Sequence, residues 1–416
     1  MEKGKNPLNR APRPSLVVAQ YLVSLPALER NARILSQVAQ DSGAQIVLAL
    51  KAFSLWPSFP TLQPHLAGCC ASGLWEAELS HLFFQKETLT YSPAYSEKEI
   101  ARLLEISNHL DFNSLTQWQH FRELCLAHPR AQAGEIHFGL RINPLHSTGS
   151  TPLYDPCSSG SRLGVTADQL QQADLRGLST LHFHTLCEQP VTDLASTIRV
   201  VEEDFGDLLA SNQITQLNLG GGHWITQPDY DCETLVSLIR RLSREYQVQV
   251  WLEPGEALAI HAGVLRAQVL DVFESQGIRH VILDVSATCH MPDVLEMPYR
   301  PEVFLVTSEN SSSQQPVVTL PHELYQHANE QGSNLHRLGG PSCLAGDVIG
   351  DYSFSRPLVI GDTLLFDDMA HYTFVKSTFF NGVPHPDLAL LHADGQLETL
   401  RRFTFEDFAG RLGCRV

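Results

Sequence analysis

Residues 45–56 have the sequence QIVLALKAFSLW, an apolar run that ends in a single lysine, Lys51. The run is typical of a buried β-strand, and a helical pattern precedes it from Pro26 to about Gln40. Lys51 has two interpretations at this strand end. It can extend its ammonium group to water, or it can lie in a pocket where lost hydration lowers its pKa and makes the amine a nucleophile.

The alternation of helix and strand continues to about residue 254. One helical pattern, SEKEIARLLE at 96–105, begins with a capping box of Ser96 and Glu99. The small-residue segment LAGCCAS at 66–72 carries no strand prediction. About eight strands in this order predict an α/β fold in which a parallel sheet closes into a (β/α)8 TIM-like barrel, with a doubly wound open sheet as the alternative. The further predicted strands are TLTYS (88–92), HLDFN (109–113), EIHFGLRIN (135–143), STLHFHT (179–185), QLNLGGG (216–222) and VQVWLEP (248–254).

From about residue 263 the sequence is rich in β-branched residues separated by Gly, Pro, Asn and Asp, which predicts a mostly β C-terminal domain. The segment SLVVAQYLVS near the N-terminus has the same composition. We therefore predict a barrel over residues 27–262 and a β domain over 263–416, joined by the N-terminal segment 14–26. The predicted strands of this domain include GVLRAQVLDVFE (263–274), HVILDVS (280–286), VFLVTS (303–308), PVVTLP (316–321) and TLLFDD (363–368).

The chain has 416 residues, of which 43% are hydrophobic, and a formal net charge of −17. This charge argues against nucleic acid and membrane surfaces as partners and favours a cationic small molecule. We expect a cytoplasmic protein, because neither a signal peptide nor an apolar stretch long enough to cross a bilayer is evident. The 9 cysteines are scattered without a zinc-type spacing and predict reduced thiols and no metal site.

Polar residues follow several predicted strands at their C-terminal ends, where barrel enzymes place their active sites. Lys51, Arg141 and Glu253 occupy such positions, as does the glycine turn Gly220–Gly222. Three glycines let a backbone approach an anion and direct N–H groups toward it, but a lone triplet is more often only a tight turn. Glu253 could hold a pyridinium proton, or it could simply begin a helix.

His182 and His184 lie in one predicted strand, within HFHTLCEQ. We expect only one of them to face the barrel interior, where an imidazole can lie flat on an aromatic ring. For either histidine alone, an ordinary core position is an equal alternative.

Two loops in the C-terminal part contain further candidates. The segment LGGPSCLAGDVIGDY places Cys343 and Asp347 in a glycine-rich loop, and FDDMAHYTFVKSTFFNG contains His371 and Tyr372. Loops of this composition usually carry function or a subunit contact.

Taken in order, the motifs LALKA, HFH, LGGG, EPGE, LD, GPSC and YTF…FNG resemble the fold-type III pyridoxal-phosphate (PLP) decarboxylases, the group of ornithine, diaminopimelate and arginine decarboxylases. Within that group, ASGLWEAEL, LRINP, YDPC…SRLG and GPSCLAGDVIGDY are most similar to carboxynorspermidine/carboxyspermidine decarboxylases. The resemblance extends from about residue 17 to the end. It implies PLP-dependent decarboxylation of carboxynorspermidine or carboxyspermidine to norspermidine or spermidine, in polyamine biosynthesis.

The resemblance also implies roles for the candidate residues in the barrel. Lys51 would bind PLP as a Schiff base, His184 would stack on the cofactor ring, and Glu253 would pair with the pyridine nitrogen. Gly220, Gly221 and Gly222 would cradle the phosphate, with Tyr372 as a second phosphate contact and Arg141 as support.

Other implied roles concern the substrate. Cys343 would act from the partner subunit of a homodimer with shared active sites, as the candidate that protonates the carbon after CO2 leaves. Asp284 falls where relatives place an acid for the distal amine, and Glu256 and Asp347 are further candidates for binding the polyamine tail.

Two positions depart from the amino-acid decarboxylases. Glu256 follows EPG where the ornithine and diaminopimelate enzymes carry Arg, and Leu344 follows the loop cysteine where they carry an acid. Both changes favour a long cationic substrate over one with a second carboxylate. A sibling decarboxylase of diaminopimelate, ornithine or arginine is the alternative. An alanine-racemase-like enzyme, which shares the two-domain architecture, a PLP carrier and a metal hydrolase are less favoured.

Overall fold

The computed structural model describes residues 19–149, 151–171, 173–306, 326–328 and 334–413. The chain divides into two compact units. The barrel unit is Leu25–Ile260, and the sheet unit combines the described residues up to Ser24 with those from His261 onward. The predicted strand at 316–321 and the first part of segment 14–26 lie outside the described residues.

Eight parallel strands close into a barrel in the first of these units, which confirms the predicted fold class. The last strand returns to the first, with Gln45 opposite Trp251 and Ile46 opposite Leu252. After β1 (Gln20–Ser24), which belongs to the sheet unit, the barrel strands are β2 (Gln45–Ala49), β3 (Gly68–Ala71), β4 (Glu87–Tyr91), β5 (His109–Phe112), β6 (His137–Arg141), β7 (Leu178–His182), β8 (Gln216–Asn218) and β9 (Gln249–Leu252).

β3 lies inside the segment LAGCCAS and was not predicted from the sequence. Its glycine, its two cysteines and its alanine have low or neutral strand propensity. The structure gives the reason for one of them, because a Cβ on Gly68 would lie 1.9 Å from the carbonyl oxygen of Glu87 on β4. Close approach of the two backbones therefore requires glycine where a strand pattern would call for a branched residue.

Helices surround the barrel strands and bury one face each. Leu28, Ala32 and Leu35 are buried at helical spacing in the first helix, which ends before Gly43 at a φ of 79°. The predicted capping box of Ser96 and Glu99 is confirmed, with both hydrogen bonds present. The helices of this unit are α1 (Leu25–Ser42), α2 (Phe59–Leu62), α3 (Leu74–Leu79), α4 (Glu97–Ile106), α5 (Leu115–Ala127), α6 (Pro129–Gln132), α7 (Ala167–Leu170), α8 (Val191–Leu209), α9 (Cys232–Tyr246) and α10 (Glu256–Ala259).

The sheet unit contains a ten-stranded, mostly antiparallel sheet. β1 lies in its interior, antiparallel to β10 and parallel to β17. The strands that follow the barrel are β10 (Gly263–Ser275), β11 (Ile278–Leu283), β12 (Val303–Leu305), β13 (Gln326–His327), β14 (Leu335–Gly339), β15 (Val348–Ser353), β16 (Thr363–Phe366), β17 (Asp387–Leu391) and β18 (Leu397–Arg401). The helices are α11 (Ala287–His290), α12 (Asp293–Glu296) and α13 (Phe405–Leu412).

A buried apolar cluster supports the sheet, and it includes Leu265, Leu283, Leu338 and Phe366 from four different strands. Among the residues that the structure describes, no helix combines the length and the apolar character needed to cross a membrane.

Candidate active site

Lys51 lies in the turn directly after β2, at the C-terminal end of a barrel strand. Its Nζ is 3.4 Å from Nε2 of His184. The side chain reaches solvent, but protein atoms crowd its other sides. This loss of hydration lowers the pKa of the amine, and the nearby Arg141 guanidinium lowers it further, against the opposing charges of Glu253 and Glu76. A lowered pKa increases the fraction of nucleophilic, uncharged amine.

Two other lysines are the alternatives for a cofactor-binding amine, and both are engaged elsewhere. Lys86 precedes β4, at the opposite end of a barrel strand, and donates to the carbonyl oxygen of Leu66 at 2.8 Å. Lys376, in the sheet unit, forms ion pairs with Asp293 at 2.5 Å and Glu296 at 2.6 Å. These contacts leave Lys51 as the best candidate.

His184 follows β7 and is oriented by the glycine turn. The backbone N–H of Gly221 donates to Nδ1 of His184 at 2.7 Å, so Nδ1 is the acceptor and the ring proton of the neutral form lies on Nε2. Burial lowers the pKa of His184 well below its usual value, and Lys51 and Arg141 reinforce this. The neutral ring therefore presents an N–H toward the Lys51 amine, which favours the uncharged amine.

The expectation that only one histidine of this strand faces inward was wrong. His182 Nδ1 lies 3.1 Å from Asp111 Oδ2, and His182 Nε2 lies 3.5 Å from Glu253 Oε2. Residues two apart on a strand share one face, so His182 and His184 both point into the barrel. Of these two inward-facing rings, His182 is buried among carboxylates and His184 borders Lys51.

Glu253 follows β9 and is fixed at both carboxylate oxygens. Oε1 accepts a hydrogen bond of 2.6 Å from Asn218 Nδ2, and Oε2 faces His182. Burial acts to raise its pKa, but His182, Asn218 and the Cys70 thiol outweigh burial and lower the pKa to about 2. Glu253 is thus a buried, permanently ionised carboxylate with lone pairs left for a further cationic donor.

The glycine turn has its conformation determined by close neighbours. Gly220 and Gly222 have φ values of 70° and 81°, and a Cβ on Gly221 would lie 2.3 Å from the Glu253 carbonyl oxygen. The N–H of Gly220 donates to Asn218 Oδ1 at 2.9 Å. Because Gly220 and Gly221 already donate within the barrel, the N–H groups from Gly222 onward are the better candidates to bind a phosphate.

Arg141, the last residue of β6, is buried. Its Nη2 donates to the His184 carbonyl oxygen at 3.1 Å, and its guanidinium lies 4.7 Å from the centre of the Tyr91 ring. This cation–π contact fixes a positive charge beside Lys51 and His184.

The barrel brings four further groups to this site that were not predicted from the sequence. Asp111 contacts His182, Asn218 and Cys70 contact Glu253, and Glu76 lies close enough to act on the Lys51 charge. Burial raises the pKa of Glu76, whose carboxylate also accepts from the Ser72 N–H at 2.6 Å. A polar residue inside an otherwise apolar strand, as in HLDFN, was the available signal for Asp111.

The remaining candidates lie in the sheet unit. Cys343 is exposed, and its N–H donates to Asn381 Oδ1 at 2.8 Å. Asp347 is buried and holds the same loop: its carboxylate accepts from Ser286 Oγ at 2.8 Å and from the Thr288 N–H at 3.2 Å. It also accepts from the Ser342 N–H at 3.3 Å, so its oxygens are engaged in anchoring the loop.

The last three candidates are Asp284, Tyr372 and Glu256. Asp284 follows β11 and accepts from the Gln268 N–H at 2.7 Å, and burial raises its pKa to about 6. Tyr372 has a φ of 50°, a conformation rare for a bulky residue and often found at functional positions. Glu256 is the first residue of α10 and is half-buried.

A barrel with a lysine, a neutral imidazole and an ionised carboxylate at its strand ends is the geometry of a particular class of protein. The family described as "Pyridoxal-dependent decarboxylase, C-terminal sheet domain" matches residues 21–370, and the chain belongs to that family. The protein is accordingly a decarboxylase, and its cofactor is PLP. Lys51, His184 and Glu253 fit this cofactor, since Glu253 is ionised and can accept from a pyridinium N–H.

The particular relatives are enzymes named for polyamine-type substrates. A carboxyaminopropylagmatine decarboxylase from Synechocystis is 41% identical over 98% of this chain and 98% of its own. A carboxynorspermidine/carboxyspermidine decarboxylase from Campylobacter jejuni is 38% identical over 94% of this chain and 97% of its own.

Solved structures agree on the fold. Carboxynorspermidine decarboxylase from Campylobacter jejuni, complexed with norspermidine, has a TM-score of 0.81 at 36% identity, covering 95% of this chain and 100% of that one. Diaminopimelate decarboxylase from Helicobacter pylori, complexed with L-lysine, has a TM-score of 0.78 at 16% identity, covering 96% of this chain and 98% of that one, and shares the fold alone.

Proposed function

We propose that the protein decarboxylates carboxynorspermidine or carboxyspermidine and releases norspermidine or spermidine. The observation that carries the proposal is the group formed by Lys51, His184 and Glu253 at the barrel strand ends, in a chain 38% identical to an enzyme named for these substrates. The reaction belongs to polyamine biosynthesis.

The residues divide the chemistry among them. The Lys51 amine would hold the cofactor, and its lowered pKa favours the uncharged, nucleophilic form. Bound PLP would supply an electron sink for the pair left when the carboxylate departs as CO2. The Glu253 carboxylate would hold the proton of the ring nitrogen, and the Cys343 thiol would donate a proton to the carbon that lost CO2.

The substrate tail carries amines that need anionic partners. Of the three predicted acids, Asp347 uses its oxygens to anchor the loop, and we propose that Glu256 and Asp284, which are partly exposed, bind the tail amines. The formal net charge of −17 adds a general attraction for a cationic substrate.

Carboxyaminopropylagmatine is a second candidate substrate. It is favoured by one observation, the 41% identity to the Synechocystis enzyme of that name. Its product would keep a guanidinium at the far end of the tail, where the other substrates keep an amine. Amino-acid substrates have weaker support, because the diaminopimelate decarboxylase from Vibrio cholerae is only 26% identical over 65% of this chain.

We propose further that the enzyme is a cytoplasmic homodimer in which Cys343 completes the site of the partner subunit. The exposed position of Cys343 on an anchored loop supports this, since its thiol is accessible to another chain.

The test is product analysis by mass spectrometry of the PLP-loaded protein with the three carboxylated polyamines, diaminopimelate, ornithine and arginine. We expect CO2 release from at least one carboxylated polyamine. The kcat/KM for the amino acids should be at least about a hundredfold lower, because substrates without the polyamine tail leave polar groups of the site unpaired. Rapid decarboxylation of diaminopimelate would replace this proposal with the amino-acid alternative.

A further inference from the structure

Three ionisable side chains form a buried row inside the barrel. Asp111 and His182 lie in the C-terminal parts of β5 and β7, Glu253 directly follows β9, and each is less than a tenth exposed. His182 lies between the two carboxylates, 3.1 Å from Asp111 and 3.5 Å from Glu253. The row ends at the residue that would pair with the cofactor ring nitrogen.

The geometry bears on the charge of the imidazole. A neutral ring has one N–H, so its other nitrogen would turn a lone pair toward a carboxylate oxygen. An imidazolium carries a proton on both nitrogens, so each carboxylate faces positive charge and that repulsion is removed. Burial acts against the charged ring, but Glu253 and Asp111 outweigh burial and raise the pKa of His182 to about 9.

We propose that His182, held as an imidazolium by Asp111, is a positioning residue that keeps Glu253 ionised and directed at the cofactor ring nitrogen. This inference rests on the proposed function for the role of Glu253. Asn218 fixes one oxygen of the Glu253 carboxylate and His182 faces the other, so the carboxylate plane has little freedom to turn.

The surroundings of the row support the charged form. A Cβ on Gly139 would lie 1.8 Å from Asp111 Oδ1, so the glycine leaves the space that Asp111 occupies. The positive charge of Arg141 favours ionised Asp111, although burial raises the pKa of Asp111 overall. Of the two carboxylates, Asp111 is therefore the one protonated first on acidification. Other groups that face the row include the rings of Tyr91, Tyr95, His109 and His184, the Cys70 thiol and the Lys51 amine.

The pH window follows from these shifts. His182 gains its proton more readily in the folded chain than in the unfolded one, so its contribution to stability is complete below its ordinary pKa and is lost as the pH rises through about 9. The row is thus intact at neutral pH and breaks in alkaline solution.

The first test is nitrogen-15 NMR of the full-length protein with labelled histidine, with and without PLP. The His182→Gln variant identifies the resonances. We expect both ring nitrogens of His182 to be protonated at pH 7.5 and one to lose its proton near pH 9. A neutral His182 at pH 7.5, with the proton on Asp111, overturns the inference. No substrate is present, so this outcome is independent of the proposed reaction.

The second test follows nitrogen-15 of the pyridine ring in bound PLP as the pH rises. In His182→Gln we expect the ring proton to be lost at least one pH unit lower than in the wild type, a tenfold weaker hold. Asp111→Asn should move it in the same direction by a smaller amount. If folded His182→Gln protein loses the pyridine proton at the same pH as the wild type, His182 only packs in the barrel core and the inference is overturned.

His336→Gln is the matched control. His336 is also buried, on β14 of the sheet unit, burial lowers its pKa, and its Nε2 accepts from the Leu358 N–H at 3.2 Å. We expect its substitution to leave the pyridine transition unmoved, and a shift as large as that of His182→Gln would overturn the inference.

Discussion

The strand ends of the barrel and the Cys343 loop of the sheet unit hold their functional groups in different ways. In the barrel, Glu253 and His182 are fixed by each other's charges and are buried. In the loop, the Cys343 thiol is exposed and the backbone around it is tied down by Asp347 and Asn381. The barrel therefore sets protonation states, whereas the loop sets the position of the thiol that we propose as the proton donor.

The largest effect is expected from removing the barrel nucleophile. Lys51→Ala should abolish the visible absorption band of bound PLP and the adduct fixed by borohydride, and lower activity by at least about a thousandfold. Lys86→Ala, which removes an amine bonded to the Leu66 carbonyl, is the control and should retain the band. A band that persists in Lys51→Ala would assign the cofactor to another lysine.

On the loop side, Cys343→Ala should lower product formation by about 10²–10⁴-fold, the usual contribution of a proton donor. Mixing it with Lys51→Ala tests whether the two regions come from different subunits. If they do, mixed dimers hold one intact site and random exchange restores about a quarter of the wild-type sites. No recovery, with mixed dimers detected by native mass spectrometry, would place both groups in one chain.

Asp284→Asn is expected to raise stability and to lower activity. The pKa of Asp284 in the folded protein, about 6, exceeds its ordinary value, so ionising this carboxyl destabilises the fold. The cost grows from about pH 4 to about pH 6 and reaches up to about 3 kcal/mol at neutral pH. The variant should unfold at higher urea at pH 8 but not at pH 4, where both forms are neutral.

The same substitution should lower kcat/KM for polyamine substrates, because a buried substrate amine loses its anionic partner. The loss of transition-state stabilisation should be about 2–5 kcal/mol. The bound-PLP spectrum should not change. Equal urea midpoints at pH 8, or unchanged turnover, would contradict the respective halves of this prediction.

The smallest effect concerns the loop anchor. Asp347→Asn should cost about 1–3 kcal/mol of unfolding free energy, since it weakens three hydrogen bonds to one buried carboxylate. It should also speed alkylation of Cys343, measured by mass spectrometry of the peptide that contains it. Asp351→Asn, which breaks a partly exposed ion pair with Arg337, is the control and should cost under about 1 kcal/mol. Equal costs for the two variants would remove the anchoring role.

Much of the fold was predictable because strand and helix periods are local properties of the sequence. The apolar run before Lys51 and the capping box at Ser96 are examples. β3 was not predictable in this way. Glycine is required at position 68 because the backbone of Glu87 lies against it, and Glu87 becomes its neighbour only when the barrel forms.

The site shows the same division. Lys51 and Glu253 could be proposed from their places after predicted strands, because barrels gather strand ends at one mouth. The pairing of His182 with Asp111 depends on which face of β5 and β7 turns inward and on strand register. Those quantities are fixed only when the sheet closes.

The interior place of β1 has a consequence for synthesis. β1 is the first described strand, yet its two neighbours, β10 and β17, come after all eight barrel strands. On the ribosome, the barrel can be complete while β1 still lacks both neighbours. Deleting Gln20–Ser24 would uncover the inner edges of β10 and β17 together. β1 is therefore required for the C-terminal strands β10 and β17 to complete their sheet, and shortened variants of the protein should retain Gln20–Ser24.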